Sequence, residues 1–332
     1  MDRTGESEVS GALLFGRVLD GKGGGREIGW DEACRWQPGS AGEVLWLHLT
    51  RTWPGVREWL AQTFAIPGPT AELLTSDQTR PRAFREGEAL VATLRDLNFN
   101  PGAEPEDMIS MQLWSDGKRI LTLRRLPQQS PNEVRDQVDC GAGPRDAGAM
   151  VTQIVKLMID HLSDAVVEIN QTIDRIDAED GMQGMQETAG EISRIRRDCL
   201  ALQRHLSPQH EALEHIGRDA PDWFEAHDRR EMVEAIARLR RHLDDINISK
   251  ESAVVLQDEL RARAQAISQE ATYKLGVMAG VFLPLTFLTG LLGSNVVGIP
   301  YADEPWAFWG VVGACALATA IILAIFWRLR WL

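Results

Sequence analysis

The residues with the clearest capacity for chemistry lie near the C-terminal end of the chain, where one amide side chain follows a long uncharged segment. Gly293-Ser294-Asn295 lies in a stretch that has no charged residue between Lys274 and Asp303. An uncharged amide beside a glycine and a serine offers oxygen ligands that can hold a hydrated cation without trapping it. This triplet is therefore a candidate selectivity site for cations.

The triplet lies near the end of the first of two largely apolar segments, Tyr273–Pro300 and Pro305–Trp327, which are uncharged apart from Lys274. Each is close to the roughly 20 residues that a helix needs to cross a hydrocarbon core about 30 Å thick. The connection between them is short, so the pair is predicted to form a transmembrane hairpin. In this interpretation the first helix covers 275–295, an external loop covers 296–306 and the second helix covers 307–327.

The distribution of charge around the hairpin predicts its orientation. The basic tail 328–332 follows the second segment, and Arg263 and Lys274 precede the first. The loop between the segments holds Asp303 and Glu304 and has no lysine or arginine. Because positively charged flanks stay on the cytoplasmic side, both termini are predicted to be cytoplasmic and the loop external.

One face of the first segment carries small or hydroxyl-bearing side chains at helical spacing. The residues of this small-residue stripe, which runs on to Gly293, are Thr272, Gly276, Ala279, Leu283, Thr286 and Gly290. The opposite side carries larger apolar side chains, which suit lipid or another helix: Val281, Phe282, Leu285, Leu288 and Leu292. Close helix packing produces such a stripe without transport, but the amide of Asn295 at its end favours a pore lining.

Two further groups of residues could bind or attract cations. Asp303 and Glu304 in the loop would raise the local cation concentration, or would only keep the loop in water. On a predicted helix, two interleaved pairs have the spacing of zinc ligands, His210 with Glu214 and Glu211 with His215. A solvated helix face gives the same pattern by chance. The other five histidines, which have no informative sequence neighbours, are His48, His161, His205, His227 and His242.

The residues before 146 predict a cytoplasmic α+β domain over 1–145, a sheet flanked by helices. Short helices are predicted over Pro54–Phe64 and Thr70–Ser76, and a hairpin turn at Asp116-Gly117. The glycine-rich run at 21–25 lacks the spacing of a phosphate-binding loop and is predicted to be a hairpin tip. The strand-like segments, rich in β-branched and aromatic residues, are Ala12–Leu19, Val44–Leu49, Ala89–Phe99 and Ile109–Arg124.

The apolar period then changes to that of a helix. Asp146–Asp180 and Met185–Ile216 predict a helical pair over 146–220. A long stalk helix is predicted over 221–274, with Pro221 in its first turn, and it continues into the first membrane segment. At 1.5 Å per residue, about 70 residues would extend roughly 100 Å. A helix of that length needs partners, which other copies of the chain or the preceding helices could supply.

Composition excludes several functions. The chain has 332 residues and a formal net charge of −13, so it repels nucleic acid, and no basic patch with interleaved aromatic residues offsets this. The four scattered cysteines form no CxxC pair and fit a reducing compartment. No nucleophile elbow, HExxH or Walker motif is present, so an enzyme and a resident cofactor are not expected.

The membrane segments resemble those of the CorA superfamily of divalent-metal transporters. The run 282–290 followed by Gly293-Ser294-Asn295 is similar to the first membrane helix and Gly-Met-Asn-type signature of that superfamily. Ser294 stands where the family usually has Met or Val. Other similar segments are 196–197, 206–208 and 256–260 before the membrane, and 298–300 and 305–308, which resemble the ZntB zinc-transporter branch.

The resemblance implies a funnel-shaped homopentamer in the bacterial inner membrane that imports Zn²⁺ as its substrate, with proton coupling. Five first membrane helices would line an axial pore, and five copies of Asn295 would form a ring at its outer mouth. Zinc prefers imidazole and thiolate ligands, which this lining lacks, so the ion would enter at least partly hydrated. Two alternatives are a CorA-like Mg²⁺, Co²⁺ or Ni²⁺ channel and a membrane-anchored scaffold or sensor without transport.

Overall fold

The computed structural model describes residues 10–39, 42–104, 106–178, 184–294 and 304–328. The chain divides into two compact units, Met1–Leu256 and Gln257–Leu332.

The first unit contains a seven-stranded sheet in its described residues, in the order β2-β1-β3-β7-β6-β5-β4. Neighbouring strands are antiparallel except for β3 and β7, which are parallel. The strands are β1 Leu13–Leu19, β2 Gly25–Glu27, β3 Val44–Thr50, β4 Arg82–Glu86, β5 Ala89–Asp96, β6 Ile109–Ser115 and β7 Arg119–Arg124. The predicted strand segments are confirmed, whereas the two short edge strands β2 and β4 were not predicted.

Both predicted turns have a local chemical cause. At the β6–β7 turn Gly117 has φ +86°, a left-handed conformation that glycine adopts without strain. The Asp116 carboxylate accepts hydrogen bonds from the backbone N–H groups of Lys118 and Arg119. The glycine-rich run forms the turn between β1 and β2, where the Asp20 carboxylate accepts from the N–H groups of Lys22 and Gly24.

Three short helices cover one face of the sheet, α1 Trp30–Ala33, α2 Val56–Thr63 and α3 Gly68–Thr75. Because side chains alternate across a strand, every second residue of β3 and β7 joins their core. Trp59 stacks on Trp30 at 4.4 Å and meets Phe64 at 5.0 Å between ring centroids. Sheet residues buried in this cluster include Leu45, Leu47, Leu49, Val91, Trp114, Leu121 and Leu123.

Helix α4, Gln129–Asp139, precedes the two long helices α5, Ala147–Ala178, and α6, Met185–Arg218. These long helices confirm the predicted pair. Helix α6 packs along β4 and β5. There β5 extends past the end of β4, and the buried Gln209 side chain takes the place of a strand, since its amide accepts from the Arg95 N–H and donates to the Arg95 carbonyl.

The predicted long helix is confirmed as α7, Ala226–Leu292, which has 67 residues and enters both units. The prediction that Pro221 lies in its first turn is wrong, because the helix begins five residues later. The Arg229 guanidinium donates to the carbonyls of Ala220, Pro221 and Phe224 and so holds 220–224 in a turn. The final helix is α8, Ala307–Arg328.

Candidate functional site

Among the described residues, two helices are long and apolar enough to cross a membrane, the C-terminal part of α7 and the whole of α8. They belong to the second unit, and neither apolar segment has a buried residue. Such segments are stable in lipid because each satisfies its backbone hydrogen bonds internally. The C-terminal part of α7 and helix α8 therefore correspond to the two helices of the predicted hairpin.

The structure leaves the small-residue stripe on the open side of α7. All six of its residues are exposed, and Leu283 is 68% exposed. Successive helical residues are rotated by about 100°, which places the half-buried positions of this segment on the opposite face. Those positions are Val277, Gly280, Val281, Leu285 and Leu288.

A matching row of half-buried residues follows one face of α8. A Cβ added to Gly280 would lie only 2.9 Å from Cζ of Phe326, so the Phe326 ring rests against the α7 backbone at this glycine. Small side chains allow membrane helices to approach closely in this way. The row comprises Ala307, Val311, Cys315, Ala318, Thr319, Ile322 and Phe326. Helix α8 thus packs on the face of α7 opposite to the stripe.

The stripe offers hydroxyl oxygens but no charge. Thr272 Oγ1 donates to the Ser268 carbonyl at 2.9 Å, and Thr286 Oγ1 donates to the Phe282 carbonyl at 2.8 Å. These bonds use the hydroxyl hydrogens and leave the oxygen lone pairs able to accept from water. A hydrated cation can exchange hydrogen bonds with such a surface without losing its inner water shell.

The predicted mouth is described only in part. Gly293 continues the helical hydrogen bonding, with its N–H donating to the Thr289 carbonyl at 2.8 Å, and Ser294 Oγ donates to the Leu291 carbonyl at 2.8 Å. Asn295 and Asp303 lie outside the described residues. Glu304 is exposed just before α8, and its carbonyl accepts from the Ala307 N–H.

The two predicted His/Glu pairs lie on different faces of α6. Glu211 and His215 line an open groove of about 540 Å³ beside β4, together with Arg80 and Arg82. His210 and Glu214 do not line it. In the described part of the chain, no three His, Cys, Asp or Glu side chains are grouped to hold a metal ion. The arginines also make this groove unfavourable for a cation.

The structure assigns partners to a histidine that the sequence left without any. His161 of α5 places Nε2 3.1 Å from Glu133 Oε1 and Nδ1 3.6 Å from Asp96 Oδ1. The Ser130 hydroxyl donates to Asp96 Oδ2 at 2.6 Å. The nearby Asp96 carboxylate and the charge of Glu133 outweigh burial and raise the pKa of His161. Its partners are distant in sequence, so no local pattern could have shown them.

Two other titratable groups are strongly perturbed in the first unit. His48 is fully buried in the sheet, and burial lowers its pKa to about 3, so this histidine is neutral. Asp198 of α6 shares a small cavity with Glu106, Glu104 and Glu168. Partial burial and the neighbouring Glu106 carboxyl raise the pKa of Asp198 to about 6.

These features define a class, namely a two-span membrane protein with a long helix that leads from a sheet-and-helix unit into the first span. The chain belongs to the family described as CorA-like Mg²⁺ transporter protein, which matches residues 41–328. It is a divalent cation transporter of the CorA/ZntB type and not an enzyme.

Individual relatives agree with this assignment. The divalent cation transporter CmaX of Pseudomonas aeruginosa is 34% identical over 98% of this chain and 99% of its own length. The zinc transport protein ZntB of Pectobacterium atrosepticum is 32% identical, with 98% of both chains covered. The full-length CmaX structure has a TM-score of 0.82 at 31% identity, covering 96% of this chain and 98% of CmaX.

A more distant structure supports the fold alone. The CorA magnesium transporter of Methanocaldococcus jannaschii has a TM-score of 0.78 at 14% identity, covering 96% of this chain and 99% of its own. Together with the CmaX structure, this likeness confirms the predicted fold class, in which a sheet-and-helix unit precedes the long helix and a final apolar helix.

Proposed function

We propose that the protein is a homopentamer of the bacterial inner membrane that imports hydrated Zn²⁺ through an axial pore, with both termini cytoplasmic. The observation that carries this proposal is the orientation of the small-residue stripe. Helix α8 packs on the face of α7 opposite to the stripe and leaves the stripe exposed. Five copies of α7 with this face inward would form a narrow, uncharged, hydroxyl-bearing path.

The lining suits an ion that keeps its water. The stripe carries no imidazole, thiolate or carboxylate, which are the ligands that bind bare zinc tightly. Cys315, the cysteine within α8, lies in the row that faces α7. Selection in this proposal falls to the ring of Asn295 amides at the outer mouth, where Gly293 and Ser294 complete the triplet.

Charge at the entrance would assist loading. Asp303 and Glu304, repeated around a pentamer, would concentrate cations near the mouth. If transport is coupled to protons, the coupling groups lie outside the first membrane segment, because that segment has no titratable side chain after Lys274. The loop acids, the cytoplasmic unit or the water of the metal would then carry the proton.

The choice of zinc rests on the ZntB relatives, whose names specify zinc transport. A Mg²⁺, Co²⁺ or Ni²⁺ channel is the second candidate, favoured because the family is described by Mg²⁺ transport. Uptake into proteoliposomes with each metal, with and without a pH gradient, distinguishes them. Zinc uptake that exceeds magnesium uptake and increases with an inward proton gradient supports the proposal, and magnesium uptake without zinc uptake overturns it.

The pore face is tested by cysteine labelling in a variant that lacks the four native cysteines. Cysteine at Ala279 or Thr286 should react with a membrane-impermeant, water-borne thiol reagent and block uptake. Cysteine at the matched positions Val281 and Leu285, which face α8, should stay at least about tenfold less reactive, because a thiol in an apolar contact rarely ionises. Equal labelling on both faces would mean that the stripe does not line an aqueous path.

A further inference from the structure

Two adjacent residues of helix α5 contact different parts of the first unit. Asp160 forms an ion pair with Arg238 of α7, whereas His161, the next residue, lies between Asp96 and Glu133. Neighbouring residues on a helix are about 100° apart, so one residue can point to each side. At this level α5 therefore connects the long helix to the sheet.

The connection to α7 has further polar contacts along α5. The Lys156 ammonium lies 3.2 Å from a Glu231 carboxylate oxygen, and Ser249 Oγ donates to Asn170 Oδ1 at 2.6 Å. None of these residues is a histidine, but His227 of α7 places Nε2 3.2 Å from Glu231 Oε1, so variants of His161 are needed to separate its titration from that of His227. The residues of α7 involved belong to the same continuous helix that carries the stripe.

The ionisable contacts of α5 with β5 and α4 centre on the ring of His161. Asp96 is fully buried at the end of β5, where Oδ1 accepts from the Leu97 N–H and Oδ2 accepts from the Ser130 hydroxyl. The His161 ring supplies the cation beside this buried carboxylate, and Phe99 covers the ring edge-on at 5.4 Å. A buried carboxylate that loses its cationic partner is strongly destabilised.

We propose that His161, with Asp96, Ser130 and Glu133, forms a proton-operated latch that holds α5, and through it the long helix α7, to the sheet. The latch makes transport respond to cytoplasmic pH. This regulatory role rests on the proposed function, whereas the latch itself is a property of the first unit.

The charges around the ring determine the direction of the effect. The titratable groups that face His161 are Asp96 from β5 and Glu133 from α4. Asp160, on the same helix as His161, is paired with Arg238, and the guanidinium of Arg135 on α4 lies over the Phe15 ring instead. Both groups that face the ring are acidic and favour the protonated imidazole.

The pKa of His161 is raised in the folded protein, chiefly by the Asp96 carboxylate beside Nδ1. A raised folded-state pKa means that the stabilisation is complete below the ordinary histidine value of 6.5 and is lost as the pH rises through the raised value. Acidification of the cytoplasm therefore closes the latch, and alkalinisation opens it. Inward proton flow during transport would act on it directly.

Hydrogen exchange of the full-length protein in nanodiscs tests the latch. After correction for intrinsic exchange, protection of α4 and of α5 around residue 161 should fall between about pH 6 and about pH 8, by about tenfold for each unit by which the latch raises the pKa. His161→Gln should make the protection independent of pH. His205→Gln, at a half-buried histidine whose pKa burial lowers, should respond like the wild type.

A second variant keeps the test decisive if His161→Gln fails to fold. Glu133→Gln removes one partially exposed carboxylate and should move the midpoint of the protection change to lower pH. A midpoint that does not move, or a His161→Gln protein that retains the pH response, would overturn the latch.

Proteoliposome uptake at several internal pH values and one fixed external pH tests the regulation. The uptake rate of the wild type and of His205→Gln should change with internal pH. His161→Gln should lose this pH dependence, and Glu133→Gln should move its midpoint to lower pH. A wild-type rate that is independent of internal pH overturns the regulatory role. A protein with no divalent uptake under any condition overturns the proposed function, and the exchange result then still decides the latch.

Discussion

The two parts of α7 handle charge in opposite ways. Around its N-terminal part, charged groups are held in fixed pairs, such as Asp160 with Arg238 and Lys156 with Glu231. Its C-terminal part has no charged residue after Lys274. Fixed pairs give a rigid structure, because each group is held by its partner. An uncharged surface gives an ion nothing to bind tightly, so it can pass.

One helix thus meets two requirements, stability in water and passage of cations, through the different composition of its two parts. In water, a long helix gains stability from pairing with its neighbours. In a cation path, the same pairing would stop conduction, because an ion must be able to leave each position it visits. The three predictions that follow test the two sides of this contrast.

The largest expected effect comes from placing charge in the uncharged part. Leu283→Asp would put a carboxylate in the middle of the stripe and, in a pentamer, a ring of them. Divalent ions should bind there too tightly to leave, and uptake should fall about a hundredfold. Leu283→Asn has nearly the same shape without the charge and should retain most of the uptake.

Both Leu283 variants must first be shown to insert and to have the wild-type oligomeric mass in detergent. Bound zinc per protomer should rise in Leu283→Asp and stay unchanged in Leu283→Asn. If the aspartate variant conducts as well as the asparagine variant, the uncharged lining is not required for release of the ion.

The next effect concerns the mouth. Asn295→Ala removes the proposed amide acceptor and should lower initial zinc uptake at least about tenfold, since a hydrogen bond to a charged partner contributes about 1.5 kcal/mol or more. Thr289→Ala, at an exposed polar position outside both the triplet and the stripe, is the control and should retain most of the uptake. Wild-type uptake by a correctly assembled Asn295→Ala protein would remove the amide ring from the mechanism.

The smallest expected effect concerns the first unit, which contains the ion pairs, at the position where Asp198 of α6 lies beside Glu106. Its pKa is raised to about 6, so ionisation costs folding stability above that pH, and the cost is absent below the ordinary value of 3.8. Asp198→Asn should therefore stabilise the protein by about 1 kcal/mol at neutral pH, after allowance for solvent screening. The gain should disappear in acid.

Thermal unfolding of the full-length protein in detergent at several pH values measures this gain. Asp174→Asn, at an exposed position of α5, serves as the control and should change the melting temperature little at any pH. A gain in the Asp198 variant that is the same at neutral and acidic pH would contradict the role of the carboxyl pair.

How much the sequence could predict depends on how local each signal is. The long helix and the apolar hairpin follow from composition and period, which are properties of contiguous residues. Strand β2 has three half-exposed or exposed residues and strand β4 a single buried one, so neither shows the apolar alternation of a half-buried strand. The start of α7 was misplaced because Arg229, eight residues further on, holds Pro221 outside the helix.

The candidate site divides in the same way. The small-residue stripe could be read from spacing within one helix. The face that α8 covers could not, because the contact between Gly280 and Phe326 joins residues of two helices whose relative rotation no local pattern determines. His161 shows the same limit, since Asp96, Ser130 and Glu133 come from other elements.

Gln209 has a consequence for the protein before it reaches its final assembly. A strand that extends past its neighbour presents free N–H and carbonyl groups, which another chain can use to add a strand and begin aggregation. The Gln209 amide occupies those groups at Arg95. Helix α6 thus closes this part of the sheet edge to strand addition by another chain, a contact that a chain carrying apolar membrane segments would otherwise offer before insertion.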